Sequence, residues 1–186
     1  MKPRVYLDWN ATTPLRASAK AAMIEALDVV GNPSSVHAEG RKAKALVENA
    51  RAQVASALGA DGADVIFTSG ATEAAVLAFA GKGLVGAEIE HDAVSSWIEA
   101  TCPTDENGLV SLQDPANSVL QLANSETGVV QDLPTGLVGS DVTQAFGKMP
   151  FSFNWLGCTF ALVSAHKLGG PKGVGALVVR RGTDIA

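Results

Sequence analysis

The chain has 186 residues, 47% of them hydrophobic and 18% charged, a composition far from that of disordered chains and long enough for one domain with a sizeable core. Its 14 basic and 19 acidic residues give a net charge of −5, and the basic ones gather into no run, so no nucleic-acid partner is expected. Two cysteines, Cys102 and Cys158, make neither a disulfide framework nor a metal-ligand spacing, and three scattered histidines complete no zinc site.

Met1-Lys2-Pro3-Arg4 is basic, but a strand-like Val5-Tyr6-Leu7 follows where a secretion signal would carry an apolar segment. No stretch approaches the length of a membrane span, and the protein reads as cytoplasmic. Residues 17–30 place Met23, Ile24, Leu27 and Val30 at helical spacing, and Gly31-Asn32-Pro33 ends the run. A longer helix is predicted over 38–58, with Leu46, Val47, Ala50, Val54 and Leu58 along one stripe and Gly59 as its cap. Val65-Ile66-Phe67 reads as a buried strand, Thr68-Ser69-Gly70 as a tight turn, and residues 72–80 as a helix.

A strand near 84–89, a helix near 93–100 and a strand at 119–123 follow, with further strands at 137–142, 160–164 and 174–179. This alternation predicts an α/β fold, a three-layer α/β/α sandwich with a mostly parallel sheet. Only thirteen residues separate the strand ending at Ala123 from the one starting at Leu137, and Gly128, Pro134 and Gly136 are among them. That link is either a bare loop or a place where the sheet is abbreviated.

The richest segment is Ser164-Ala165-His166-Lys167-Leu168-Gly169-Gly170-Pro171-Lys172-Gly173, which closes an apolar run and opens a glycine-rich loop. A lysine at such a strand end, shielded from water, is suited to attack an aldehyde, so Lys167 is the first catalytic candidate. Gly81-Lys82-Gly83-Leu84-Val85-Gly86 fits the dinucleotide pattern G-x-G-x-x-G but follows a helix and leads into a strand, the reverse of what pyrophosphate binding needs. Thr68-Ser69-Gly70-Ala71-Thr72-Glu73 instead feeds a helix N-terminus, with free N–H groups and hydroxyls suited to an anion or to an ordinary cap. Asp141 ends a strand and is suited either to capping the next segment or to pairing with a ring nitrogen. His91 also follows a strand, as a stacking and proton-transfer group or as a surface histidine. All four features follow predicted strands, where α/β folds assemble their sites.

Several ordered motifs carry a family resemblance: Tyr6-Leu7-Asp8-Trp9-Asn10-Ala11-Thr12-Thr13-Pro14, Gly31-Asn32-Pro33-Ser34-Ser35, Phe67-Thr68-Ser69-Gly70-Ala71-Thr72-Glu73, Glu90-His91, Asn124-Ser125-Glu126-Thr127-Gly128, Asp141-Val142-Thr143-Gln144 and Ser164-Ala165-His166-Lys167. From Val5 to about Arg181 the sequence resembles the cysteine desulfurases, the NifS/IscS-like group of class V, fold-type I pyridoxal-phosphate enzymes. The resemblance implies pyridoxal 5′-phosphate as cofactor, attached to Lys167, with Asp141 on its ring nitrogen, Gln144 on its ring hydroxyl and His91 stacked on its face and moving protons. It assigns the phosphate to Ala71, Thr72, Ser164 and His166, and places Ser125 where relatives carry a second asparagine that contacts cofactor and substrate.

The implied reaction takes sulfur from L-cysteine, giving alanine and a persulfide, in the service of a sulfur-acceptor protein and iron–sulfur cluster assembly. Relatives continue into a small domain bearing the nucleophilic cysteine and a carboxylate-binding arginine. Residues 1–186 are therefore expected to be an abbreviated cofactor-binding large domain without that small domain, paired as a homodimer or with a partner chain. Cys102 and Cys158 are expected to be structural. The alternatives are another class V reaction, transamination or β-elimination, and a non-catalytic scaffold or partner subunit.

Overall fold

The computed structural model of the protein describes residues 4–185; Met1-Lys2-Pro3, the start of the basic opening, lies outside them. In chain order the elements are α1 (Ala17–Leu27), α2 (Ala38–Ala57), β1 (Asp64–Thr68), α3 (Ala71–Phe79), β2 (Leu84–Ala87), α4 (Asp92–Ser95), β3 (Ile98–Cys102), β4 (Gly139–Asp141), α5 (Phe153–Leu156), β5 (Phe160–Ser164) and β6 (Gly175–Val179). Short 3₁₀ turns lie at Pro115–Asn117 and Ala165–Lys167.

The strands pair in the order β1-β6-β5-β4, and β2 pairs with β3. Segment 118–122 bridges the two ribbons, because Ser118 pairs with Val85 and Val119 with Gly139, both in parallel. The sheet therefore runs β1-β6-β5-β4-(118–122)-β2-β3. Only β6 opposes its neighbours, pairing antiparallel with both β1 and β5. Every other strand points the same way, so the sheet is mostly parallel and its carboxyl ends share one edge.

Alternation along each strand divides the core in two, since successive side chains point to opposite faces. Val65, Ala161, Val163, Ala176 and Val178 face Leu58, just past α2, and Phe153 of α5. Phe160, Leu162, Leu177 and Val179 face Ala74, Ala75, Ala78 and Phe79 of α3 and Val94 of α4. Helices on both faces make the three-layer sandwich. Two glycines set the helix position. A Cβ on Gly139 would lie 2.5 Å from the Phe79 ring, and one on Gly175 would lie 2.6 Å from the Gly70 backbone. Phe79 packs edge-on against Phe160, with ring centroids 6.3 Å apart, and this seats the N-terminus of α3 at the carboxyl edge of the sheet.

Three sequence expectations are corrected. Residues 5–7 form no strand; Val5 and Leu7 are 71% and 82% exposed, and neither pairs with a strand of the sheet. The helix expected over 93–100 stops at Ser95, and Ile98–Cys102 becomes a strand parallel to β2. The hydroxyls of Ser95 and Ser96 bond back to the Asp92 carbonyl and close that single turn, while Ile98 and Thr101 are β-branched. The strand expected over 119–123 survives only as isolated bridges. The link from 124 to 138 is a bare loop, doubled back by an antiparallel bridge between Ala123 and Val130.

Candidate active site

Each carboxyl-end turn delivers side chains to one cavity of about 530 Å³. After β1, Gly70 opens α3 without any side-chain cap, so the first N–H groups of the helix, at Ala71 and Thr72, are left to the cavity they line. Ser164 closes β5 beside them, its Oγ 3.8 Å from where a Cβ on Gly70 would stand. His166 and Lys172 complete this end of the cavity. Hydroxyls, amide N–H groups and a lysine ammonium gathered at one spot suit an anion with several acceptor oxygens. Burial first, then the charges of Lys167 and Lys172, holds the His166 imidazole below its ordinary pKa.

Asp141 ends β4 at the far side, and its Oδ1 accepts the Thr143 N–H at 2.8 Å. Burial pushes its carboxyl pKa up, while Thr143 and the charges of His91 and Lys167 pull the other way. A cationic N–H partner in the cavity would restore its charged form. His91 follows β2, and its Nδ1 accepts the Ala93 N–H at 3.1 Å, which leaves the proton of the neutral ring on Nε2.

Lys167 lies between these ends, with Nζ donating to the Asn10 carbonyl at 2.6 Å. That carbonyl belongs to residues 10–16, a strap across the site that follows the segment read in the sequence as a strand. Thr13 N–H donates to the His166 carbonyl at 2.8 Å, and Thr13 Oγ1 to the Lys167 carbonyl at 2.8 Å. Arg16 N–H reaches the Gly169 carbonyl at 2.9 Å, and Thr12 Oγ1 lies 3.1 Å from His166 Nδ1. Gln144 Nε2 also donates to the Asn10 carbonyl, at 3.0 Å. Ser125 closes the rim, its carbonyl accepting Asn10 Nδ2 at 3.1 Å.

Ala71, Thr72, His91, Ser125, Asp141, Gln144, Ser164, His166 and Lys167 thus all line the same cavity. Sequence reasoning assigned no role to Thr12, Gln121 or Lys172, which line it as well. The polar Gln121 inside the apolar run Leu120–Leu122 was a usable signal, and so was a second lysine in the glycine-rich loop. Below the cavity, Glu90 is buried with Oε1 on the Gln121 N–H at 2.8 Å, and Oε2 has no partner among the described residues. Burial raises its pKa from 4.5 to about 8.

Neither cysteine lines the cavity. Cys102 ends β3, and Cys158, wholly buried before β5, has its thiol pushed up to about 11 by that burial. No helix among the described residues is long and apolar enough to cross a membrane.

The sequence matches the family described as aminotransferase class-V over residues 5–184. The cysteine desulfurase IscS of Dictyoglomus turgidum is 35% identical over 221 aligned positions, covering 100% of this chain and 56% of that protein. The cysteine desulfurase IscS of a Neisseria meningitidis strain is 37% identical, covering 97% of this chain and 54% of the relative. Among solved structures, a NifS-like protein from Rickettsia africae superposes with a TM-score of 0.85 at 32% identity, over 99% of this chain and 60% of that one. SspA, solved in complex with cysteine, superposes with a TM-score of 0.86 at 27% identity, over 98% of this chain and 64% of its own. The chain spans little more than half the length of the curated relatives it matches.

Proposed function

The chain belongs to the class-V aminotransferase family, and on that premise we propose that its cavity holds pyridoxal 5′-phosphate in a cysteine desulfurase-like enzyme. Residues 1–186 are its cofactor-binding large domain, and a second domain or subunit completes the site. The substrate is L-cysteine, the products are alanine and a persulfide, and a sulfur-acceptor protein of iron–sulfur cluster assembly is the onward partner. The observation that carries this reading is the convergence of Lys167, Asp141, His91 and the α3 N-terminus on one cavity.

The residues fit the group by the chemistry of their donors and acceptors. The anion end, formed by Ala71, Thr72, Ser164 and His166, suits a phosphate, and the buried Asp141 carboxyl suits a protonated ring nitrogen. Lys167 Nζ stands between them to bind an aldehyde carbon and afterwards to move a proton at the substrate's α-carbon. When bound, the cofactor supplies an electron sink for bonds breaking at that carbon. His91, fixed through Nδ1, presents its ring for stacking and its Nε2 proton for transfer. Gln144 would donate to a ring oxygen of the bound cofactor, and Ser125 lines the same cavity.

The persulfide-forming thiol comes from outside residues 1–186, because neither Cys102 nor Cys158 lines the cavity and burial pushes both thiols up. Exposed Met23, Ile24 and Leu27 on α1, continued by Val30, offer an apolar surface for a homodimer partner or a partner chain. We place the protein in the cytoplasm.

The test is the visible absorption of the purified protein with pyridoxal 5′-phosphate, in the wild type and Lys167→Ala, before and after L-cysteine. A Lys167-dependent band that changes with cysteine is expected, and its absence in the wild type would sink the reading. Product analysis then separates the reactions: alanine with persulfide for desulfuration, pyruvate for β-elimination.

A further inference from the structure

Lys148 is an exposed residue outside the cavity lining, four positions beyond Gln144 in the irregular turns that follow β4. Its ammonium donates to Gln144 Oε1. At the other end of the same amide, Nε2 donates to the Asn10 carbonyl at 3.0 Å, the carbonyl that also accepts from Lys167 Nζ at 2.6 Å.

These two contacts fix which way the amide points. An ammonium has donors only, and a peptide carbonyl has lone pairs only. Lys148 therefore selects the oxygen of Gln144, and Asn10 selects its nitrogen. Rotating the amide by half a turn would set NH₂ against the ammonium and oxygen against oxygen, losing both bonds at once. With Oε1 turned to Lys148 and one Nε2 hydrogen on Asn10, the donor that Gln144 has left for the cavity is its second N–H. We propose that Lys148 is a positioning residue, locking the Gln144 amide so that it offers the cavity a donor, matched to an anionic ring oxygen. This rests on the reading that the cavity takes pyridoxal 5′-phosphate.

Without the lysine, one anchor of the amide is gone and Gln144 can turn its oxygen toward an oxygen of the ligand, a repulsive pairing. Lys148 also stands close enough to Lys167 for the two cations to interact; burial first, then Lys167, lowers its pKa. A purely electrostatic role would follow from that proximity alone, so the test must separate it from the lock.

The experiment has two arms. In cofactor-free protein, the side-chain amide signals of Gln144 are followed by ¹⁵N relaxation in the wild type, Lys148→Met and Lys148→Arg. The lock predicts a rigid amide in the wild type, a mobile one in Lys148→Met and recovery in Lys148→Arg. In the second arm the dissociation constant for pyridoxal 5′-phosphate is measured in a double-mutant cycle with Gln144→Ala. Lys148→Met is expected to weaken binding about tenfold in the wild-type background and to add no further loss once Gln144 is alanine.

An amide equally rigid in Lys148→Met would overturn the proposal, and so would a loss of the same size in both backgrounds, which would mark Lys148 as a nearby charge only. If the wild type binds no pyridoxal 5′-phosphate, the reading of the cavity falls, and the relaxation arm still decides the lock.

Discussion

The N-terminal strap with α1 and the β5-to-β6 segment are both rich in apolar residues, yet they are held in opposite ways. Every residue of β5 and β6 is buried, while α1 buries none of its side chains. The strands sit mid-sheet with a helical layer on each face, so their apolar side chains are removed from water on both sides. The strap is fastened at its polar positions instead: Asn10, Thr12, Thr13 and Arg16 bond to Gln144, the 166–169 turn and Ser125, leaving Val5, Leu7 and Leu27 exposed. Apolar content alone does not decide burial; a place between two covered faces does.

Substitutions can break or sharpen this contrast. Leu162→Ala, at a fully buried position mid-sheet, is expected to cost about 2–5 kcal/mol, read by urea denaturation. A loss below 1 kcal/mol, on the order of a surface change, would mean that the sheet is not the stabilising region.

Glu90 comes next. Its pKa, raised from 4.5 to about 8, means that the folded protein keeps a proton that the unfolded chain has already released between these values. The stability this contributes is fully present below 4.5 and is lost as pH rises through about 8. Glu90→Gln, which mimics the protonated carboxyl, should therefore remove a decline of a few kcal/mol (order of magnitude) across that window. Parallel stability curves for the two proteins would show that Glu90 ionises normally.

On the strap, Thr13→Val removes the hydroxyl on the Lys167 carbonyl and should cost about 1 kcal/mol. It should also speed amide exchange at Thr13, whose N–H is held by His166; unchanged exchange would mean that the strap is anchored elsewhere. The smallest effect belongs to Leu27→Ala. This leucine is 83% exposed, and the change should stay within about 0.5 kcal/mol in the isolated chain. A larger loss would show that α1 is covered in solution.

The legible parts of the sequence were those where local pattern and tertiary place agree. β5 falls on the predicted residues, and β1, α3 and β6 come within a residue or two, since buried strands and an alanine-rich helix each need one kind of environment. The residues assigned to the site were legible because they cluster at strand ends, and a mostly parallel sheet collects such ends at one edge. Val5-Tyr6-Leu7 misled because β-propensity says nothing about whether a neighbouring strand exists. The run 93–100 misled because its helical spacing was cut short by serines that bond to their own backbone. The contacts of Gln144 with Lys148 and Asn10 were invisible, since no pattern of one residue type reveals that a donor and an acceptor meet on one amide.

The strap also imposes an order on assembly. Its partners, His166, Lys167 and Gly169, lie more than 150 positions downstream, and the residues of β1 pair with residues of β6 that lie 107 to 115 positions downstream. Thr13 and Arg16 therefore lack these partners until residues 166–169 have followed. Contacts so distant in sequence form slowly, because a long loop must close before they return any stabilisation. Through that interval the apolar side chains of the strap and of α1 stand bare, and such exposed surface favours aggregation until the strap meets the 166–169 turn.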